Sequence, residues 1–259
     1  MRSLTLAAFL ASLASSTSFA GVVFSGTYSQ NFDSMGSAGT AAPTGWRHFV
    51  TSFGNNNTWT TSIAASGSSG VSAMSVTTAG TTLVAASTPS TNSNTGFNAG
   101  VGGSATNRAL GTAPTTVAGA MIQLDLDNGF GSTMQAGSSL NISFDTIRFT
   151  SASSANQLPG YWLFYSLNGG TTWTNIGTNP TLTEVPNSVG TSSSSFSLTL
   201  GADWQAGATM YLRWVDDNAV QTSPDQIIGL DNVVITPAPG AIALLGLAAG
   251  LVGRGRRRA

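Results

Sequence analysis

The 259-residue chain contains no cysteine and no lysine, and only one histidine and one glutamate. Without cysteine there is no disulfide framework and no thiol nucleophile, so stability must come from core burial, helped at most by a metal. Without lysine there is no P-loop and no Schiff-base chemistry. The sole histidine, His48 in "GWRHF", has no G-x-S-x-G elbow to serve, and a lone histidine after a tryptophan in a strand is a structural residue. A glycosidase needs two opposed carboxylates with separated pKa values. Nothing in the spacing of Asp125, Asp127 and Asp145 marks such a pair, and Glu184 sits in a loop-like "TEVPNS". Composition therefore makes an enzyme the minority reading, with no catalytic residue to name.

Charge is also scarce: nine basic residues, all arginine, face ten acidic ones. Arg2, Arg254, Arg256, Arg257 and Arg258 lie at the chain ends, while all ten acids lie in the body, so residues 21–236 carry a net charge of −6. A mildly acidic body argues against a nucleic-acid groove, which needs clustered cations to neutralise phosphates.

The two ends carry addresses. "MRSLTLAAFLASLASSTSFA" has a charged start, an apolar stretch from Leu4 to Leu13, and Ser18-Phe19-Ala20 before Gly21, the three parts of a secretory signal peptide over residues 1–20. At the other end, "TPAPGAIALLGLAAGLVGRGRRRA" holds an uncharged run from Gly240 to Gly253. As a helix that run reaches about 21 Å, short against a bilayer core of roughly 30 Å.

Between them, no amphipathic 3.6-residue pattern persists, and period-2 alternation recurs instead. "LNISFD" puts Leu140, Ile142 and Phe144 on one face, with Ile147 and Phe149 following beyond Asp145. "SFSLTL" does the same with Phe196, Leu198 and Leu200, and "TMYLRW" sets Met210, Leu212 and Trp214 against Tyr211, Arg213 and Val215. "IIGLDNVVIT" is the last strand, with Ile228, Leu230 and Val234 on one face. In "YWLFYSLNGGTTWTNIG" two strands flank Asn168-Gly169, residues that tolerate the positive φ of a tight hairpin. Many short strands, Gly-rich turns and no intervening helix predict an all-β, antiparallel sandwich of jelly-roll type over residues 21–236. Between His48 and Asn107 no Asp, Glu, Lys or Arg occurs, and long polar loops between a few edge strands are expected.

Two features invite binding chemistry. "DLDNGFG" alternates Asp125 and Asp127 but lacks the Gly and Glu positions of an EF-hand loop, so a turn after a strand is the better reading. "DDNAVQTSPDQIIGLDNV" packs Asp216, Asp217, Asn218, Asp225, Asp231 and Asn232 into one span of oxygen donors, the ligand type calcium takes. Asp231 lies in an otherwise apolar strand, where a buried carboxylate must be paired or coordinated. Alternatively, Asp216 to Asp225 line a solvated loop and Asp231 accepts backbone amides. The six tryptophans are Trp46, Trp59, Trp162, Trp173, Trp204 and Trp214. Most are expected in the core, while Tyr161 or Trp162 would face outward and offer a ring to a sugar.

With its Pro237-Ala238-Pro239 element, apolar run and "RGRRR", the tail (residues 237–259) resembles the PEP-CTERM sorting signal of exported bacterial proteins, with Ala238 where the commonest version has glutamate. The resemblance implies transient inner-membrane anchoring, the arginines (Arg254, Arg256, Arg257, Arg258) on the cytoplasmic side. It implies partners too: the export machinery and an exosortase-like enzyme that cuts near Pro237 and Pro239 and passes the body to the cell surface or extracellular matrix. The body resembles a jelly-roll module of exported, PEP-CTERM-bearing proteins, through "QNFDSMG", "PTGW", "TNRALGT", "SLNISFD", "YSLNGGTTWTNIG", "YLRWVDD" and "LDNVVIT" in that order. A looser likeness is to jelly-roll carbohydrate-binding modules. It implies a structural calcium held by Asp33 of "NFDSMG" and Asp231 of "LDNV", tying the first and last strands together. The expectation is thus an exported, non-catalytic β-sandwich with a structural or adhesive role. The alternatives are a polysaccharide-binding module and, least favoured, a polysaccharide hydrolase.

Overall fold

The computed structural model describes residues 20–52, 79–80, 82–89, 95–113, 118–151, 160–176, 185–186, 188–216 and 226–239. The signal segment up to Phe19 and the tail from Gly240 onward, its four arginines included, lie outside the described residues, as do Trp59, Glu184, Asp217, Asn218 and Asp225. Among the described residues fourteen strands, numbered in chain order, form two seven-stranded sheets. The first sheet runs β11 (Thr174–Asn175), β10 (Trp162–Ser166), β13 (Thr209–Asp216), β8 (Ala118–Asn128), β3 (Trp46–Ser52) and β4 (Ala79–Gly80). Its seventh strand, β1 (Val22–Phe24), lies parallel to the end of β8. The second runs β12 (Gly190–Thr199), β9 (Ser139–Arg148), β14 (Ile228–Pro237), β7 (Arg108–Ala113), β6 (Thr95–Gly100) and β5 (Val84–Ala86), with β2 (Tyr28–Gln30) also on β14. Apart from β1 with β8 and β5 with β6, every pairing is antiparallel.

From β8 onward the long strands alternate between the sheets, which is how a jelly roll covers both inner faces. Alternation does the rest, since successive side chains point to opposite faces. Ile122, Leu124 and Leu126 of β8 and Met210, Leu212 and Trp214 of β13 face Leu140, Ile142 and Phe144 of β9 in one core, with Ile228 and Leu230 of β14. Phe144 meets Trp214 edge-on at 5.9 Å, Trp214 lies 5.5 Å from Trp46, and Trp46 meets Phe32 at 4.9 Å. Each such pair adds about 0.5–1.5 kcal/mol beyond its buried area. In a chain without cysteine, this aromatic seam joins the sheets.

Three local expectations change. The β10–β11 hairpin is not tight: positive φ falls on Gly169 (70°) and Gly170 (81°), not on Asn168. The Asn168 side chain instead organises a longer loop, accepting from the Thr172 amide and the Ser166 hydroxyl. Ile147 and Phe149 have the opposite parity to Phe144, and they join Phe97, Ala99, Ala109, Ala113 and Ile227 in a second apolar cluster. Val234 also leaves its expected face. A β-bulge between Asp231 and Val234, with Asn232 at φ 48°, shifts the register so that Val233 and Ile235 are the buried residues.

The interior also holds polar groups. His48 is buried beside Gly96 of the facing sheet, where an added Cβ would lie 2.6 Å from the imidazole, so only glycine admits this approach. Neither ring nitrogen of His48 has a hydrogen-bond partner, and burial lowers its pKa to about 4. That fits a structural histidine. Arg108, 1% exposed, donates to the side-chain and backbone oxygens of Asn98 and to the carbonyls of Ser104 and Ala86. Asn98 in turn donates to the carbonyls of Gly36 and Gly39, so this pair anchors the segment after β2.

Candidate functional site

The bulge in β14 is where that strand changes neighbours. Before it, Ile228–Leu230 pairs with β7; after it, Val233–Ile235 pairs with β2. Asp231 stands at the junction, directly across from Asp145 of β9. Beyond β2 the chain turns into a 3-10 segment, Asp33–Met35, and the Asp33 carboxylate accepts the Arg108 amide at 2.8 Å and the Asn31 side chain at 2.8 Å. Three of the motifs picked out in the sequence, "QNFDSMG", "SLNISFD" and "LDNVVIT", thus bring one acid each to a single place, beside the arginine of "TNRALGT".

The electrostatics of this place are unfavourable as it stands. Asp231 is 2% exposed and accepts one hydrogen bond, from the Asn232 amide at 2.7 Å. Burial first, and then the like charges of Asp33 and Asp145, push its carboxyl up to about 7, against the pull of that amide. Asp145 accepts from Ser193 Oγ at 2.5 Å and from Asn232 Nδ2 at 2.9 Å. Among the described residues no ion pair reaches any of the three; the one salt bridge is elsewhere. Backbone strain gathers here as well. Among the described residues Phe32 (φ 58°) and Asn232 (φ 48°) are the two non-glycine residues with positive φ, and they are the immediate neighbours of Asp33 and Asp231. A bulky residue such as phenylalanine rarely adopts this conformation, and strain of this kind collects at functional sites.

The donors suit a hard cation in kind, being carboxylate and amide oxygens near backbone carbonyls. Among the described residues, however, no three acidic or histidine side chains form a ready-made ligand group. An ion here would take carboxylates from Asp33 and Asp231 and complete its shell with carbonyls and water. Asp145, unremarked in the sequence as a neighbour of these two, was detectable by parity as an outward acid within β9. That β9 lies beside β14 was not.

Other sequence-marked residues fall apart from this junction. Asp216 is buried between the sheets, accepting from Thr112 Oγ1 at 2.5 Å, with the Tyr161 hydroxyl 3.1 Å from the same Thr112 oxygen. Of the Tyr161–Trp162 pair, Tyr161 points into the core and Trp162 lies on the outer face of the first sheet, 5% exposed. Asp125 faces outward from the first sheet and Asp145 from the second, so the two cannot flank one glycosidic bond. Pro237 ends β14, buried and paired with Leu140; the Ala238 amide donates to Ser139, and Pro239 is exposed.

The outer face of the first sheet holds a different charged group. Arg47 Nη2 reaches both oxygens of Asp125, at 2.6 and 2.8 Å. Gln123 donates to Asp125 and accepts from Arg213, whose guanidinium carbon lies 4.1 Å from the Trp173 ring centre and 4.9 Å from that of Phe49. A cleft of about 530 Å3 lies near the acidic junction, lined by Tyr28, Gln30, Ser34, Met35, Pro43 and Thr44 among others, with no charged residue among the described ones in its wall. The Tyr28 hydroxyl accepts the Trp46 indole N–H at 2.6 Å.

No protein-family model matches the chain, and no curated protein matches it. Among solved structures it is similar to an adhesin domain of Lys-gingipain from Porphyromonas gingivalis, at 12% identity over 82% of this chain and 98% of that one, with a TM-score of 0.35. It is similar to an arabinose-bound α-L-arabinofuranosidase, MgGH51, at 11% identity over 84% of this chain and 29% of that one, with a TM-score of 0.43. A third likeness is to TmCBM61 in complex with β-1,4-galactotriose, at 11% identity over 51% and 72% of the two chains, with a TM-score of 0.28. At these identities and scores the likenesses assign neither a ligand nor an activity.

Proposed function

We propose that this chain is an exported, non-catalytic β-sandwich with a structural or adhesive role at the cell surface or in the extracellular matrix. In this reading, calcium at Asp33 and Asp231 clamps its N-terminal segment to its last strand. The observation that carries the clamp is the burial of Asp231 under the like charges of Asp33 and Asp145, with no cationic side chain on it among the described residues, beside Phe32 and Asn232 at positive φ. A divalent ion would relieve the mutual repulsion and join segments about two hundred residues apart, which in a disulfide-free exported domain replaces a covalent tie. Export rests on the signal-like start, and sorting on the Pro237–Pro239 element and the arginine-ended tail. The uncharged cleft beside Tyr28 favours a neutral polysaccharide as the adhesive partner.

The experiment is to express the full chain in a bacterium with an exosortase, fractionate the cells, and measure both termini of the mature protein by mass spectrometry. Expected are a start at Gly21, loss of Arg254 to Arg258, and recovery in the surface or matrix fraction. A mature protein that keeps its arginines, or stays in the cytoplasm, would overturn the sorting half. Passing that material over immobilised neutral polysaccharides tests the adhesive half, and free passage through all of them would sink the saccharide partner.

A further inference from the structure

A two-sheet sandwich has four edges, and each edge strand presents unpaired N–H and C=O groups to any extended chain that comes alongside. Among the described residues three of the edges here end in very short strands: β4 and β11 have two residues each and β5 has three. Short edges are a standard way of blocking such pairing. The fourth edge is β12, ten residues long, paired to β9 along its whole length, with no strand on its other side among the described residues. Its usual protections are missing. Gly190–Thr199 contains no charged residue and no proline, and no bulge interrupts its register with β9. Its outward residues, Thr191, Ser193, Ser195, Ser197 and Thr199, are exposed, and the inward Ser192, Ser194 and Phe196 are only half-buried, which marks the flank as open.

We propose that β12 is a self-association edge. It pairs antiparallel with β12 of a second copy about a two-fold axis at Ser195, so that the two second sheets become one continuous sheet. Facing residues in an antiparallel pair lie on the same side of the sheet, so the axis must pass through a residue and not between two. Centring on Ser195 sets Thr191 opposite Thr199 and Ser193 opposite Ser197, a ladder of hydroxyl pairs of the kind that favours strand pairing. On the inner side it sets Ser194 of each copy opposite Phe196 of the other, giving that half-buried ring further cover.

Charge selects the same edge. The body carries a net −6, so two copies repel across most of their surface, whereas β12 is neutral from end to end. The nearest acid, Asp145, lies one strand back and is engaged by Ser193 and Asn232. Because the two-fold is isologous and the other three edges are short, assembly closes at two and does not run on into a filament. This inference is independent of the calcium clamp and of the adhesive role.

The absence of cysteine makes the test direct, since Ser195→Cys places the only thiol of the full chain on the axis. Mild oxidation is expected to convert Ser195→Cys to a disulfide-linked dimer, while Ala206→Cys, on an exposed turn away from β12, stays monomeric. In sedimentation the unmodified chain is expected to be a dimer. The combined Thr191→Lys, Ser195→Lys and Ser197→Lys variant should lower the dimer association constant by at least about ten-fold, with thermal unfolding of the monomer unchanged. A monomeric unmodified chain, equal cross-linking of the two cysteine variants, or a dimer that survives the lysines would each overturn the proposal. Should the lysine variant fail to fold, the cysteine pair and the unmodified mass still decide.

Discussion

The outer faces of the two sheets each carry a charged cluster around one buried carboxylate, Asp125 on the first and Asp231 on the second, and the clusters differ in their partners. On the first sheet, Asp125 has Arg47, Arg213 has Gln123 and two aromatic faces, and Gln123 links the two pairs. On the second, Asp33, Asp145 and Asp231 have one another, with amides and hydroxyls but no cation. The first cluster pairs its one carboxylate within the chain, while Arg213, desolvated and close to the like charge of Arg47, is held down to about 9. The second sets Asp231, buried, among the like charges of Asp33 and Asp145, with no cationic side chain on it among the described residues.

The largest expected effects centre on the buried charge of Asp231. Asp231 titrates near 7 in the folded chain against 3.8 as a model value for the unfolded one. The stability it contributes is therefore full below pH 3.8 and is lost as pH rises through 7. At about 1.4 kcal/mol per pH unit that window would amount to about 4 kcal/mol, and solvent screening of so incompletely enclosed a group reduces the loss to about 2 kcal/mol. Without calcium, at about pH 8, Asp231→Asn should be more stable than the unmodified chain by up to that amount, with the advantage vanishing near pH 3.5. Calcium at a hundred-fold excess over its dissociation constant should stabilise the unmodified chain by about 3 kcal/mol and leave Asp231→Asn unaffected. Equal denaturation curves for the two chains in chelator, or identical curves for the unmodified chain with and without calcium, would erase the contrast. His48 runs the other way: its depressed pKa gives stability that is full above pH 6.5 and lost as pH falls through 4. Comparing the two chains at each pH cancels that contribution.

Breaking the Arg47–Asp125 pair should have the opposite sign. Asp125→Ala leaves Arg47 and Gln123 without their acceptor and is expected to cost about 3 kcal/mol in chemical denaturation, regardless of calcium. A loss below about 1 kcal/mol would mean the pair is solvated. The smallest effect is at the rim. Asn232→Ala should cost about 1 kcal/mol, since alanine tolerates φ 48° poorly and drops the bond to Asp145, whereas Asn232→Gly should be nearly neutral. Equal costs for the two would show that the hydrogen bond, not the backbone, holds the bulge.

Alternation made the strand faces legible wherever it ran unbroken. Leu140, Ile142 and Phe144 were placed correctly, as were Met210, Leu212 and Trp214, because side-chain parity is a property of the strand alone. It failed at Val234 because one left-handed residue, Asn232, inserts a bulge that changes parity downstream, and Asn-Val carries no local mark of it. The hairpin at Asn168 failed for a related reason: Gly169 and Gly170 could both take positive φ, and the loop used those.

By itself the sequence determined the class: an all-β chain without disulfides, acidic in its body, with address-like ends and no lysine or thiol chemistry. It also picked out Asp231, since an acid in an apolar strand demands a partner wherever that strand goes, whereas Asp33 entered only through the likeness to carbohydrate-binding modules. Only the tertiary structure decided which groups stand beside them. Strand order put Asp145 across from Asp231 and sent Asp125 and Asp216 elsewhere, and among the described residues it left β12 as the one long open edge. Periodicity is fixed within about ten residues of chain, whereas neighbourhood in a sandwich is set by pairings between strands up to two hundred residues apart, and no local pattern encodes those.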